Sequence, residues 1–412
     1  MPEKLAHANG PSPNWCPIDL DEERDSRRVH TADIAALLLA ARNGALVVTV
    51  VVTAALGWSA ARAYPTTDLF CFVTASRLVA ERSDPYDEVV WATATAGEHA
   101  DYRGVMRPSP CPGRFGYPLW TALTLLPLTW LDDAWVGVVW QILIFAGTAI
   151  GVASFAYALG RLQNAFALGL AVAASQPFWL TVLNAQFGGI LLGAAGASAA
   201  FAVRQKDLAA GASLALGWLK PHVVALALLA MPFRTLRTGR PRVALAVVAV
   251  LAIGAAVSIV VRPAWPMEYA TELLGNRTTQ ALASTSLHGV SSALTGSPLP
   301  GIIAELATVA VAVALLRGRQ LADVELLAAA IASSLVLSPY LGSHDQLLLV
   351  PAWAVILARA GRGAAVVAAL AVVLPWTLYN VRNSVVGPEG LSGLVPAITL
   401  VALALVLRGR TR

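Results

Sequence analysis

The chain has 412 residues, of which 57% are hydrophobic and only 13% charged, with a mean hydropathy of +0.66. Soluble proteins carry about 25% charged residues, so a soluble fold is excluded, and with it nucleic-acid binding as the meaning of the +5 net charge. In a polytopic membrane protein a basic excess belongs to the cytoplasmic loops, and three cysteines are too few for a disulfide scaffold or a structural zinc site.

In chain order, residues 1–30 are polar and read as a cytoplasmic tail without a cleavable signal peptide. Residues 31–410 read as one membrane domain. A crossing helix needs about 20 predominantly apolar residues. Candidates lie at 34–60, 118–131, 134–159, 163–182, 187–203, 208–231, 243–261, 300–316, 323–338, 346–359, 363–380 and 391–407. The long continuous runs predict helices rather than barrel strands. Segment 118–131 is short and 208–231 is broken by Lys220-Pro221, so the count is ten if both are re-entrant and twelve if neither is. The expected fold is therefore an all-α polytopic bundle of about 10–12 transmembrane helices. No internal repeat of the kind that marks many transporters is visible.

Orientation follows from the short basic segments: Arg24, Arg27 and Arg28, then Arg234 to Arg242, Arg317 and Arg319, Arg359 and Arg362, and finally Arg408 to Arg412. All fall on the cytoplasmic side if both termini are inside. The long loop 61–117, carrying amphipathic helices, then faces outward, together with 262–299, 339–345 and 381–390.

Chemistry-bearing residues concentrate in those outward segments. Asp68 follows the first span at the expected membrane surface, where a carboxylate is placed to take a proton from a hydroxyl. Its alternative reading is the N-cap, with Thr67, of an amphipathic piece 69–82. Ser83-Asp84-Pro85 reads as a turn and helix start, and Asp84 is also a candidate for substrate contact. Arg114 reads as a phosphate contact or a solvated charge, and Tyr117 as an interfacial anchor that substrate can reach. Asn184 and Gln186 break the charge-free stretch 162–203 and either line a cavity or satisfy the broken helix. Lys220, between two apolar runs, is costly at that depth, and an ammonium suits a phosphate; the alternative is snorkelling to the interface. Tyr340, His344 and Asp345, in Ser338-Pro-Tyr-Leu-Gly-Ser-His-Asp345, suit a polyhydroxy or phosphate ligand or else a capped helix start, and His288 is a weaker candidate of the same kind. Cys71 lies one helical turn beyond Asp68. A bridge to Cys111 would pin that carboxylate to the far end of its loop; the alternative is two small buried hydrophobes.

Taken in order, these elements resemble glycosyltransferase family 87, the polyprenol-phosphate-sugar-dependent, mannosyltransferase-like membrane enzymes of the GT-C class in actinobacteria. The matching elements are Asp68, Ser83 to Asp87, Phe115 to Pro118, Asn184-Ala-Gln186, Lys220-Pro221 and Ser338 to Asp345. Two departures stand out: Leu119 where a second proline often follows Tyr-Pro, and Leu341-Gly-Ser343 where a tryptophan often precedes the histidine. The resemblance implies a GT-C-like bundle in the plasma membrane. It implies inverting transfer, outside the cytoplasm, of mannose or another hexose from a polyprenyl phosphate to a lipid-linked or cell-envelope glycan. Asp68 would be the general base, with Lys220, His344 and Arg114 on the donor phosphate and no metal cofactor. The competing expectation, resting on the many spans and Lys220, is a secondary transporter or flippase.

Overall fold

The computed structural model describes residues 48–101, 103–111, 113–275, 285–381, 389 and 391–409. The tail 1–30 with its arginines, the first half of the first span, and Arg410 and Arg412 lie outside the described residues. Residues 53–412 form one compact unit. Of residues 1–52, only 48–52, the opening of helix α1 (Val48–Arg62), are described.

Among the described residues, 53–412 is all-helical apart from one hairpin, as the apolar runs predict. The loop region holds α2 (Asp68–Ala80), α3 (Glu88–Ala94), the antiparallel strands β1 (Glu98–Ala100) and β2 (Met106–Pro108), and α4 (Leu119–Thr124). Then come α5 (Asp133–Ala158), α6 (Ala165–Ala173), α7 (Gln176–Leu183), α8 (Gly188–Val203), α9 (Asp207–Ala215), α10 (Ala225–Arg237), α11 (Pro241–Val261), α12 (Trp265–Gly275), α13 (Leu287–Thr295), α14 (Leu299–Leu316) and α15 (Asp323–Val336). The chain ends with a 3₁₀ segment Ser343–Leu349, α16 (Val350–Arg359), α17 (Gly363–Asn380) and α18 (Leu394–Arg408).

Among the described residues, four helices are long and apolar enough to cross a membrane alone: α5, α11, α14 and α17. A fifth span is available if the bent pair 162–173 and 176–183, kinked by 64°, counts as one. Shorter apolar helices, Val48–Arg62, Gly188–Val203, Asp207–Leu219 and Leu394–Arg408, accompany them, so the all-α polytopic bundle expected from hydropathy is built from a few long helices and several shorter or broken ones. The breaks have local causes. Ser175 caps α7 by accepting from Phe178 N, with Pro177 in the first turn. Lys220-Pro221 divides 208–231 into α9, two single 3₁₀ turns and α10, because proline removes a donor and disfavours helix at the residue before it. Segment 118–131 holds only α4 and a 3₁₀ turn, Leu126–Trp130.

The helices α5 and α8 pack closely through small residues, as membrane helices do. A Cβ built on Gly193 would stand 2.8 Å from Gly147 Cα, and one on Gly196 2.8 Å from Gly151 Cα. In the loop region, α2 buries Leu69, Phe72, Val73 and Leu78, and Ser76 Oγ donates to Ala122 O at 2.8 Å, tying α2 to α4. Asp133, at the start of α5, accepts from Tyr64 Oη at 2.9 Å and from Arg77 at 2.6 Å. The loop is therefore folded onto the helical body. Its hairpin, absent from the sequence expectation, turns where Asp101 Oδ1 accepts from Arg103 N and Val105 N around Gly104, whose φ is +76°.

Candidate active site

Thr67 occupies the N-cap of α2, but its hydroxyl donates back to Tyr64 O at 2.7 Å and makes no capping bond. Asp68 is the first helical residue, and its carboxylate turns away from the helix end to accept from the Gln186 amide. The capping alternative therefore does not account for this side chain. Asp68 N donates to Asn184 O at 3.2 Å, so the start of α2 is pinned to the end of α7.

Gln186 follows Ala185, a non-glycine residue at φ +49°. Two side chains brace this turn from α5: Trp140 Nε1 donates to Ala185 O at 2.7 Å and Gln141 Nε2 to Val182 O at 2.8 Å. On its other side Gln186 Oε1 accepts from Lys220 Nζ at 3.2 Å. An ammonium only donates, so the amide oxygen must face Lys220 and the amide N–H must face Asp68. The polarity of the chain Lys220, Gln186, Asp68 is thereby set.

Lys220 is only 4% exposed. Its ammonium meets Asp345 Oδ1 at 2.6 Å and His344 Nε2 at 3.2 Å as well as Gln186. Three acceptors use its three donors. The lysine is thus not an open charge awaiting a ligand, nor a snorkelling side chain, but the hub of a buried cluster. Asp345 Oδ2 also accepts from Gly342 N at 3.1 Å, so the capped-turn reading and the ion-pair role hold together.

Burial lowers the His344 imidazole to about 4, with Asp345 opposing and Lys220 adding to the shift, so the ring is neutral near pH 7. Because Nε2 faces an ammonium, it must present its lone pair, and the ring proton sits on Nδ1. That Nδ1 is buried without a hydrogen-bond partner. His222 Nε2 is in the same condition, and its ring lies edge-on to Tyr340 at 5.9 Å. Burial pushes the Asp68 carboxyl above the usual carboxylate range, against the lowering effects of Gln186 and Lys220. Burial likewise takes the Tyr117 hydroxyl to about 12, so it keeps its proton.

These groups surround a cavity of about 340 Å³ lined by Asp68, Cys71, Trp91, Cys111, Arg114, Tyr117, Gln186, Lys220, His222, Tyr340, His344, Asp345 and Glu389, among others. Its apolar floor includes Phe72, 4.9 Å from the Tyr117 ring and 4.7 Å from the Phe187 ring. Arg114 reaches the cavity while pairing with Glu88 at 3.1 Å. Glu389 accepts from Ser343 N and Oγ, both at 2.7 Å, and burial raises its carboxyl. Among the described residues no group of three His, Cys, Asp or Glu side chains could hold a metal ion.

Three sequence candidates are not brought into the cavity. Asp84 pairs with Arg262 and accepts from Tyr86 N at 2.8 Å, and the helix that follows is capped by Asp87, not started at Pro85. His288 is held by Glu305, with Nδ1 at 2.8 Å, and links α13 to α14. Asn184 serves through its backbone carbonyl. Conversely His222, Trp91 and Glu389 were not singled out from sequence. His222 could have been, standing two residues after Lys220; the other two carry no local signal.

Cys71 and Cys111 are joined as a disulfide with Cα atoms 5.4 Å apart, closing a loop of sequence separation 40. On the chain-entropy model this is about 4 kcal/mol of stability. The double substitution Cys71→Ser with Cys111→Ser should lower the thermal midpoint in detergent by several degrees. A midpoint unchanged by substitution and by reductant would show that the bridge does not form in the native protein.

The sequence model of glycosyltransferase family 87 matches residues 115–339, more than half of the chain. No curated protein and no solved structure matches. The matched stretch includes Tyr117, Gln186 and Lys220; Asp68 lies before it and His344 and Asp345 after it.

Proposed function

Since this chain belongs to glycosyltransferase family 87, and is therefore an integral membrane glycosyltransferase and not a transporter or flippase, we propose that it transfers a hexose, mannose foremost, from a polyprenyl phosphate to a glycolipid or cell-envelope glycan. Transfer takes place at the cavity around Asp68, on the extracytoplasmic side of the plasma membrane, with both termini in the cytoplasm. The observation that carries this reading is the convergence of Asp68, Gln186, Lys220 and His344 from four distant parts of the chain on one cavity.

In the proposed reaction the acceptor hydroxyl gives its proton to Asp68. Its oxygen forms the bond to the anomeric carbon from the face opposite the phosphate. The anomeric carbon–oxygen bond breaks, and its electron pair leaves on the phosphate, so configuration inverts. A raised pKa suits a general base, because catalytic efficiency is greatest when the pKa approaches the operating pH. Gln186 ties down one carboxylate oxygen and leaves the other for the hydroxyl. Developing charge on the phosphate meets the unpartnered N–H of His344 and the Arg114 guanidinium, an arrangement of donors that favours charge appearing in the transition state.

Arg114 can serve because its pair with Glu88 is partly solvated, with side-chain exposures of 38% and 71%; such pairs contribute about 0–1 kcal/mol and yield readily. Arg114→Gln should raise KM for the donor about 10–100-fold, the size of a charge-assisted hydrogen bond. Unchanged donor KM would remove Arg114 from the site. The function as a whole is tested by incubating the purified protein with labelled polyprenyl-phosphate hexoses and envelope lipid extract and mapping the products. Absence of any new glycosidic product across mannose, glucose and galactose donors would overturn it.

A further inference from the structure

A transferase must hold two substrates at one base, and a cavity of about 340 Å³ is at the lower end for even one small ligand. A second cavity of about 400 Å³ lies beside it, between α3 and the β1–β2 hairpin, lined by Glu88, Trp91, Thr95, Ser109 and Cys111 among others. The two cavities share Trp91 and Cys111. The partition between them is thus an indole, braced by the Phe115 ring at 5.8 Å, and the disulfide to Cys71. Cys71 is three residues beyond Asp68 on α2, about 4.5 Å along the helix axis, so the partition stands one turn from the proposed base.

The two cavities differ in charge. The first holds the Arg114 guanidinium and the Lys220 ammonium beside the carboxyls of Asp68, Asp345 and Glu389, with Lys220 already paired to Asp345 and the His344 ring neutral. The second has no cationic side chain among its described lining residues and offers hydroxyl, carboxylate and backbone groups. Trp91 is 2% exposed, and its Nε1–H is buried without a hydrogen-bond partner. Buried indole N–H groups ordinarily find one, and this one stands in a wall common to both spaces. A phosphate therefore finds the Arg114 guanidinium and the unpartnered His344 N–H only in the first cavity and meets the Glu88 carboxylate in the second, which suits a neutral polyhydroxy group instead.

From this we infer that the second cavity is the acceptor subsite: it binds a neutral glycan headgroup against Trp91 and delivers one hydroxyl past the disulfide to Asp68. The inference rests on the transfer reading above. A binding experiment separates the two. The purified protein is photolabelled with an octyl mannoside carrying a diazirine, and the adduct is mapped. Labelling is expected within residues 88–113, undiminished by saturating short-chain polyprenyl phosphate. It should fall about tenfold or more in Ala92→Trp and in Ala96→Trp, each of which fills the cavity. Both alanines are exposed, so one variant stands in for the other if either fails to fold. Labelling elsewhere, competition by polyprenyl phosphate, or labelling indifferent to both substitutions overturns the subsite. Correct labelling without product formation leaves the subsite standing and overturns the transfer reading instead.

Discussion

Replacing Asp68 with asparagine should lower turnover about 10²–10⁴-fold, the usual contribution of a positioned general base, while leaving insertion and stability close to those of the parent. The expectation is this sharp because the substitution keeps shape and still accepts from Gln186; what it removes is the capacity to take a proton. Because burial raises the Asp68 carboxyl, the parent enzyme has a further signature. The base works only when ionised, so kcat/KM should fall as pH drops through a value above the ordinary aspartate range near 3.9. That acid limb should vanish in Asp68→Asn, leaving a flat residual rate. Near-parental turnover in the variant, or an acid limb that survives it, would return Asp68 to a structural role.

Lys220→Met is expected to have two separable effects. Removing the ammonium leaves Asp345 buried and uncompensated, and breaking a buried ion pair in this way costs about 3–5 kcal/mol. It also frees the Gln186 amide, whose orientation depends on facing a donor-only group, and misplacement of a catalytic group by about 1 Å can cost about 10²-fold in rate. The double variant Lys220→Met with Asp345→Leu distinguishes these effects. Stability should return, since an apolar replacement of a buried pair is often neutral or better, but turnover should not, because Gln186 remains unanchored. Recovery of turnover along with stability would show that Lys220 matters only for folding. Loss of donor affinity in place of rate would revive the direct phosphate contact that the sequence suggested.

The division between what was legible and what was not follows the range of the forces involved. Hydropathy is local, so the charge-poor runs established a helical membrane protein without any tertiary information. Local rules also located the breaks at Lys220-Pro221 and Asn184-Ala-Gln186. They did not reveal how strongly those breaks shorten the helices. Ser175, the single 3₁₀ turns and the 64° kink arise from caps and packing that a hydropathy window averages away. Residue type and order pointed to all three of the main candidates: Lys220 because a charge at membrane depth is costly, and Asp68 and His344 because they stand in outward segments where a carboxylate or imidazole can meet a ligand. Their roles were another matter. Whether Asp68 caps a helix or faces a ligand depended on Gln186, 118 positions away. Whether Lys220 is open or filled depended on Asp345, 125 positions away. Whether Asp84 contacts substrate or serves the fold depended on Arg262, 178 positions on. By itself, then, the sequence determined the membrane class, the breaks at Lys220-Pro221 and Asn184-Ala-Gln186, and the residues that have chemistry to offer. Only the tertiary structure decided which of those residues are spent on one another, since pairing of buried charges is settled by distances of a few ångströms between segments that folding alone brings together.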